Sequence, residues 1–250
     1  GKPDWGAYRR RWAIVDEHVA EAREALDERK LQEPGTYTIT SSTDSRYSQP
    51  RHPSKVDSVL VSMGQDRSHG GAFNIEFAHY NYIEFPEPMK QAQTYTINVA
   101  DRGVVTFVYS ENSLISRAIK VNQVGYLPDA PKKLAYIGAH LYEHGPMNVD
   151  HAETFEVVDV ATGDVAYRGQ VELIERNPRF GPTEKQPDPD KRPYMYGEDV
   201  YAMDFSDLDR QGVFFIRVPG VGRSWPFAHQ NNVFNDVYFI ASRGMFHQRA

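Results

Sequence analysis

The chain has 250 residues, a net charge of −6 and no cysteine. Hydrophobic residues make up 40% and charged residues 25%, which is the composition of a folded globular protein. The acidic balance argues against nucleic-acid binding, which needs a basic surface. The absence of cysteine excludes disulfides, thiolate nucleophiles and cysteine zinc sites. No apolar run approaches the roughly 18 residues that a membrane-spanning helix needs.

The first predicted element is an amphipathic helix over residues 7–31. Its apolar residues recur at spacings of three and four, and they are Trp12, Val15, Val19, Ala22 and Leu26. The segment QEPG, which ends at Gly35, contains the residues that stop a helix. We therefore assign residues 1–34 to a helical leader.

Short alternating runs replace the helical pattern from Thr36 onward. Six of them are rich in β-branched and aromatic residues and are bounded by turn residues, namely TYTIT, VDSVLVSM, AFNIEF, YNYIEF, TYTINV and VVTFVY. Their number and spacing predict a compact antiparallel β-sandwich over residues 35–116.

A second series of strands begins near Ile119. Its runs are AIKVNQV, KKLAYIGA, TFEVVDV, VAYRGQVEL, DVYAMDFS, GVFFIRVPG and SWPFAH. Thr162, Gly163 and Asp164 form the turn of the clearest hairpin. The rhythm predicts an immunoglobulin-like sandwich over residues 117–230, interrupted by one long proline-rich loop. The fold class is therefore mainly β, with two tandem sandwiches.

The last twenty residues return to helical spacing. Val233, Val237, Ile240, Met245 and Phe246 recur near the period of a helix, and neither Gly nor Pro follows to end it. We therefore expect residues 231–250 to begin a helix and the natural polypeptide to continue beyond them.

Two strings could bind a metal. His140 and His144 in HLYEH match the His-x-x-Glu-His pattern of zinc proteases, but the string follows a strand and runs into Gly145-Pro146. We favour a strand end with two solvent-facing histidines. Asp188 and Asp190 could offer oxygen ligands to calcium, yet two carboxylates are too few to specify a site and a solvated loop is favoured. No metal site is assigned.

Aromatic side chains on a β-surface can bind sugars by stacking. Five residues are candidates for carbohydrate binding, and they are Tyr80, Tyr82, Tyr194, Tyr196 and Trp225. Core packing is the favoured alternative for Tyr80 and Tyr82, which alternate along a strand. For Tyr194 and Tyr196, in the proline-rich loop, the two alternatives are about balanced.

The string IKVNQVGYLPDAPKKLAYIG, residues 119–138, resembles the first two strands of the immunoglobulin-like domain that precedes the catalytic domain in many glycoside hydrolase family 9 enzymes. The matching positions are Ile119, Val121, Asn122, Gln123, Val124, Gly125, Tyr126 and Pro128. The segment from YGEDVYAMDFS to GRSWPFAH resembles the last strands of that domain. RGMFHQRA is similar to the first helix of the family's (α/α)6 catalytic barrel.

The resemblance implies that the chain is the non-catalytic N-terminal accessory part of a family 9-like, cellulase-like glycoside hydrolase, preceded by an extra β-module. A following barrel would hydrolyse β-1,4-glucan with inversion, and this part would stabilise and position it. The family's Asp-Ala-Gly-Asp type motif is absent from the sequence, so no catalytic residue is assigned. Phe234, Val237, Phe239 and Phe246 would contact the barrel.

The resemblance also implies a secreted or periplasmic protein whose partners are the catalytic domain and a polysaccharide. It implies no cofactor for this part of the protein, with any calcium expected in the catalytic domain. The alternative is a stand-alone carbohydrate-binding β-module that uses the aromatic candidates. A free-standing metalloprotease centred on HLYEH is the third and least favoured hypothesis.

Overall fold

The computed structural model describes residues 28–66, 74–141, 145–179, 181, 188, 190 and 194–249. The chain divides into two compact units, Gly1–Val108 and Tyr109–Ala250. The described residues are mainly β, which confirms the predicted fold class. Residues 7–27 of the predicted N-terminal helix lie outside the described residues.

The described residues of the first unit form one short helix and five strands. They are α1 (Glu28–Leu31), β1 (Tyr37–Ser41), β2 (Lys55–Asp66), β3 (Asn74–Glu84), β4 (Thr94–Val99) and β5 (Gly103–Val108). The strands β1, β4 and β5 form an antiparallel sheet in that order, and β2 pairs with β3 in a long hairpin. The runs AFNIEF and YNYIEF were expected to be two strands. Residues 74–77 of the first run and 80–84 of the second share the single strand β3, because no turn residue separates Phe77 from Tyr80.

Aromatic residues fill the core of the first unit. Tyr37 and Ile39 point from β1 into this core and are almost completely buried, as alternation along a strand requires. Tyr47 and Tyr95 are also buried and meet edge to face, with ring centroids 5.5 Å apart. The hydroxyl of Tyr47 donates a hydrogen bond to the carbonyl oxygen of Glu87 at 2.6 Å, so the loop before β4 is attached to this core.

A buried carboxylate joins the loop after β1 to the sheet. The Asp44 side chain is fully buried and accepts hydrogen bonds from Arg46 Nη2 at 2.6 Å and from the Tyr95 hydroxyl at 2.8 Å. The hydrogen bond from the Arg46 guanidinium holds the pKa of the Asp44 carboxyl well below its usual range. Asp44 is therefore charged at neutral pH, and its charge is compensated within the fold.

Eight strands and one longer helix lie in the part of the second unit that the structure describes. They are β6 (Ile119–Lys120), β7 (Leu134–Ile137), β8 (Thr154–Asp159), β9 (Val165–Glu175), β10 (Val200–Asp204), β11 (Gly212–Val218), β12 (Gly222–Arg223), β13 (Phe227–His229) and α2 (Asn235–His247). Residues 165–170 of β9 pair with β8, and residues 171–175 pair with β10. One strand thus belongs to two antiparallel sheets, β12-β11-β8-β9 and β9-β10-β7-β6, and β13 also pairs with β11. This arrangement is sandwich-like.

The inward-facing residues of both sheets form one core. Phe155 and Val157 come from β8, Met203 from β10, and Phe214 and Ile216 from β11, and all five are completely buried. The hairpin between β8 and β9 turns at Gly163, whose φ of 77° requires a glycine-like conformation. The turn is where the sequence predicts it. Asp159 Oδ1 supports it by accepting hydrogen bonds from the amides of Ala161 and Thr162.

Candidate docking surface and aromatic positions

The family-like string at 119–126 builds a loop rather than a full strand. β6 contains only Ile119 and Lys120. The Asn122 side chain then accepts a hydrogen bond from the Val124 amide at 3.1 Å and donates one to the Gly125 carbonyl at 2.9 Å. An asparagine that bonds its own backbone in this way replaces strand pairing with a turn.

Tyr126 attaches this loop to the end of the sandwich. Its hydroxyl donates to the Leu134 carbonyl at 2.8 Å, and its amide donates to the Ala228 carbonyl at 2.8 Å. Its ring meets the rings of Phe205 and Phe227 edge to face, with centroids 4.9 and 5.2 Å away. The first strand of the unit is thereby fixed to the last one, β13.

Gly125 allows this close approach. Its φ is 124°, and a Cβ atom there would lie 2.5 Å from the Ala228 carbonyl oxygen and 2.8 Å from Val233 Cγ1. The first distance involves backbone, which cannot move aside as a flexible side chain would. The loop therefore lies directly against Val233, in the short connection between β13 and α2.

α2 presents apolar side chains to solvent along its whole length. None of its residues is buried, and its N-cap residue Phe234 makes no side-chain capping hydrogen bond. The exposed apolar residues of this region define the docking surface and are Val124, Phe234, Val237, Tyr238, Phe239, Ile240, Met245 and Phe246. A 13-residue helix is marginally stable in water on its own.

Tyr194 and Tyr196 are exposed, as one of the two sequence interpretations requires. Tyr196 is 60% exposed and Tyr194 is 49% exposed. One face of Tyr194 is occupied, because the Arg179 guanidinium lies 4.1 Å from its ring centroid and Arg179 Nη2 donates to its hydroxyl at 2.8 Å. Arg179 also fixes this segment through a hydrogen bond to the Asp190 carbonyl. A sugar ring could stack on the other face of Tyr194 or on Tyr196.

The other aromatic candidates are separated from that pair. Trp225 is 49% exposed on the segment between β12 and β13. Tyr80 and Tyr82 lie on β3 in the first unit, where they are partly buried and pair with Val59 and Asp57 across the hairpin. The five predicted residues therefore belong to two units, and their role in carbohydrate binding stays a prediction.

The structure adds a pocket that the sequence did not indicate. A cavity of about 320 Å³ in the second unit is lined in part by Asp150, Glu153, Gln170 and Tyr201. Asp150 accepts hydrogen bonds from the Tyr201 hydroxyl at 2.8 Å and from Arg176 Nη2 at 2.6 Å. Both bonds lower the pKa of the Asp150 carboxyl, and the bond from Tyr201 has the larger effect. No local signal predicts this cluster, because its members come from segments that are far apart in sequence.

The candidate metal ligands do not converge in the part of the chain that the structure describes. His140 lies in an isolated β-bridge with Pro146, and its Nδ1 lies 3.0 Å from the Gly197 carbonyl oxygen, whereas His144 is outside the described residues. Asp188 Oδ1 accepts a hydrogen bond from the Asp190 amide. Within the described ranges no cluster of three His, Asp or Glu side chains could hold an ion, and no helix is long and apolar enough to cross a membrane.

Comparison with known proteins finds relatives for part of the chain. Endoglucanase D of Acetivibrio thermocellus is 29% identical over 137 residues, which are 55% of this chain and 17% of that protein. The chain thus matches about a sixth of the length of this relative.

Two solved structures are similar over about half of the chain. The Bacteroides ovatus GH9 structure is 18% identical, with a TM-score of 0.37, over 52% of this chain and 19% of that one. A metagenome-derived glycoside hydrolase family 9 endoglucanase is 28% identical, with a TM-score of 0.35, over 50% and 20%. A family model described as the cellulase N-terminal ig-like domain matches residues 115–223, which confirms the resemblance drawn from residues 119–138. Residues 115–223 of this chain are therefore similar to the cellulase N-terminal ig-like domain.

Proposed function

We propose that this chain is the accessory part of a family 9-like glycoside hydrolase and that its second unit stabilises and positions a following catalytic domain. The observation that carries the proposal is α2, which follows the last strand of the immunoglobulin-like domain and exposes its apolar residues. The match of residues 115–223 to the cellulase N-terminal ig-like domain supports the same role.

The docking surface has the chemistry of a covered interface. Six of its eight members lie within α2, and a helix that is apolar around much of its circumference is normally buried. Covering such side chains stabilises an assembly by about 25 cal/mol for each Å² of apolar area removed from water. The loop that carries Val124 lies against Val233 through Gly125, just before α2 begins.

The proposed reaction is the inverting hydrolysis of β-1,4-glucan, carried out entirely by the catalytic domain. The proposed location is secreted or periplasmic, because an insoluble polysaccharide is reached outside the cell. Any calcium would bind in the catalytic domain. The endoglucanase relative supports this substrate class.

The first test is the intact mass of the protein as its native source makes it. A mass far above 28.5 kDa is expected, because a catalytic barrel should follow the chain. A native mass of 28.5 kDa would contradict the proposal and leave carbohydrate binding as the function.

Polar substitutions in α2 test the docking surface in that longer protein. Phe239→Ser combined with Phe246→Ser should lower the Tm of the catalytic domain by roughly 5–10 °C, since two aromatic side chains lose a buried environment. Val160→Ser is the control, because Val160 is 50% exposed outside this surface. Differential scanning calorimetry makes the measurement, and equal Tm values for both variants would rule out the docking role.

The second candidate function, carbohydrate binding, is favoured by the exposure of Tyr196 and of one face of Tyr194. If it holds, Tyr194→Ala with Tyr196→Ala abolishes retention of the chain on insoluble glucan. If the chain is only an accessory domain, retention is low and the substitution does not change it. Tyr136→Ala is the matched control, because Tyr136 is also a partly exposed tyrosine, on β7. A co-sedimentation assay distinguishes the two results.

A further inference from the structure

The outer strand of the first unit's sheet is apolar and open. β5 lies at one edge of the order β1-β4-β5, and within the described ranges no strand pairs with its other side. Val104, Val105 and Val108 are 63%, 59% and 53% exposed. An edge of this kind presents unpaired backbone donors and acceptors, and proteins usually protect it with charges, proline or a covering segment.

The opposite edge of the same sheet is protected in this way. Ile39 of β1 exchanges two backbone hydrogen bonds with Arg51, from Ile39 N to the Arg51 carbonyl at 2.7 Å and from Arg51 N to the Ile39 carbonyl at 3.0 Å. Pro50 precedes Arg51 and Pro53 lies two residues after it, and neither proline can donate a backbone hydrogen bond. Among the described residues, β5 is the only edge strand of this sheet whose outer backbone groups are open to pairing with another strand.

We propose that β5 pairs antiparallel with β5 of a second copy of this chain, so that two three-stranded sheets join into one sheet of six strands. The segment from Gly103 to Ser110 has no charged side chain, so self-pairing brings no like charges together. Charged side chains on most edge strands would repel a second copy, whereas this edge strand has none.

The side chains of β5 are complementary to themselves. With the two-fold axis at Thr106, Val104 faces Val108 of the second copy on one face of the sheet, and Val105 faces Phe107 on the other. Thr106 then faces Thr106. Pairs of β-branched and aromatic residues, and of two threonines, are those that stabilise antiparallel sheets.

The geometry also explains why pairing would stop at two copies. A two-fold contact uses the same surface on both partners and closes the assembly. The outer edges of the six-stranded sheet would be the two β1 strands, each already bonded to Arg51. The proposal therefore predicts a closed dimer and not a growing fibre.

Analytical ultracentrifugation of the full chain tests the proposal over a hundredfold range of concentration. The expected result is a concentration-dependent species of twice 28.5 kDa. Val105→Lys should weaken the dimer at least about tenfold, because it places a charge against Phe107 of the second copy. Met63→Lys is the matched control, since Met63 on β2 is also 59% exposed. A monomer at every concentration, larger aggregates, or a dimer that survives Val105→Lys would overturn the proposal.

Cross-linking gives an independent readout because the chain has no cysteine of its own. Thr106→Cys places one thiol near the two-fold axis, where Cα atoms of facing residues are about 4.5–5.5 Å apart and within disulfide range. Mild oxidation should yield a covalent dimer with Thr106→Cys but not with Met63→Cys. Equal cross-linking of both variants, or none with Thr106→Cys, would contradict the register.

Discussion

In a Gly125→Ala variant, the free energy of unfolding of the immunoglobulin-like domain should be about 3 kcal/mol lower than in the parent chain, because the substitution adds backbone strain and overpacking. The φ of 124° is unfavourable for any residue with a Cβ, and that Cβ would lie 2.5 Å from the Ala228 carbonyl oxygen. The loop has to move away from β13, and the hydrogen bond from the Tyr126 amide to Ala228 is weakened. Urea denaturation followed by circular dichroism measures the loss.

Gly163→Ala separates the effect of packing from that of backbone conformation. Gly163 also has a positive φ, of 77°, but no heavy atom lies within 4 Å of the Cβ that alanine would add. Gly163→Ala should lower the free energy of unfolding by about 1 kcal/mol, because it adds only the strain of a positive φ and no steric clash. Equal losses in the two variants would mean that the contact of Gly125 with Ala228 and Val233 contributes nothing.

Asp44→Asn lowers the Tm of the first unit by roughly 5–10 °C, because Arg46 keeps a guanidinium whose buried anionic partner is gone. The Arg46–Asp44 pair also holds the Tyr95 hydroxyl, so the loop and the sheet lose a common attachment. Glu33→Gln is the control, an exposed acidic residue of the same unit. A Tm equal to that of the control would show that the network adds no stability.

The same network predicts acid sensitivity with a defined sign. The pKa of Asp44 in the folded chain lies below its ordinary value of 3.8. The stabilisation is therefore complete above about pH 4 and is lost as the pH falls through the lower folded value. Thermal unfolding is measured from about pH 7 down to about pH 2. The Tm of the parent chain should fall more steeply with decreasing pH than the Tm of Asp44→Asn. Parallel pH profiles would contradict the assignment.

Alternation of apolar residues predicted most of the strands because burial alternates along them. β1 shows this directly, with Tyr37, Ile39 and Ser41 buried and the residues between them partly exposed. The same signal overestimated β6. Val121 continues the apolar pattern and packs against the core, but the Asn122 side chain takes the backbone hydrogen bonds that a longer strand would use.

The family-like string identified the domain, but it did not show what its residues do. Asn122, Gly125 and Tyr126 act together in joining the first strand to β13, and that role needs Ala228 and Val233, which are about a hundred residues further along the chain. The sequence likewise gave no indication of the contact of Asp44 with Tyr95 or of Asp150 with Arg176. Contacts between segments so far apart have no local pattern from which they could be read.

The passage of β9 through both sheets has a mechanical consequence for the domain. A load applied along Val165–Glu175 is shared at once by its pairing with β8 and by its pairing with β10. Neither sheet can detach from the other without breaking this one continuous strand out of its neighbours. The two halves of the sandwich therefore resist pulling as a single body.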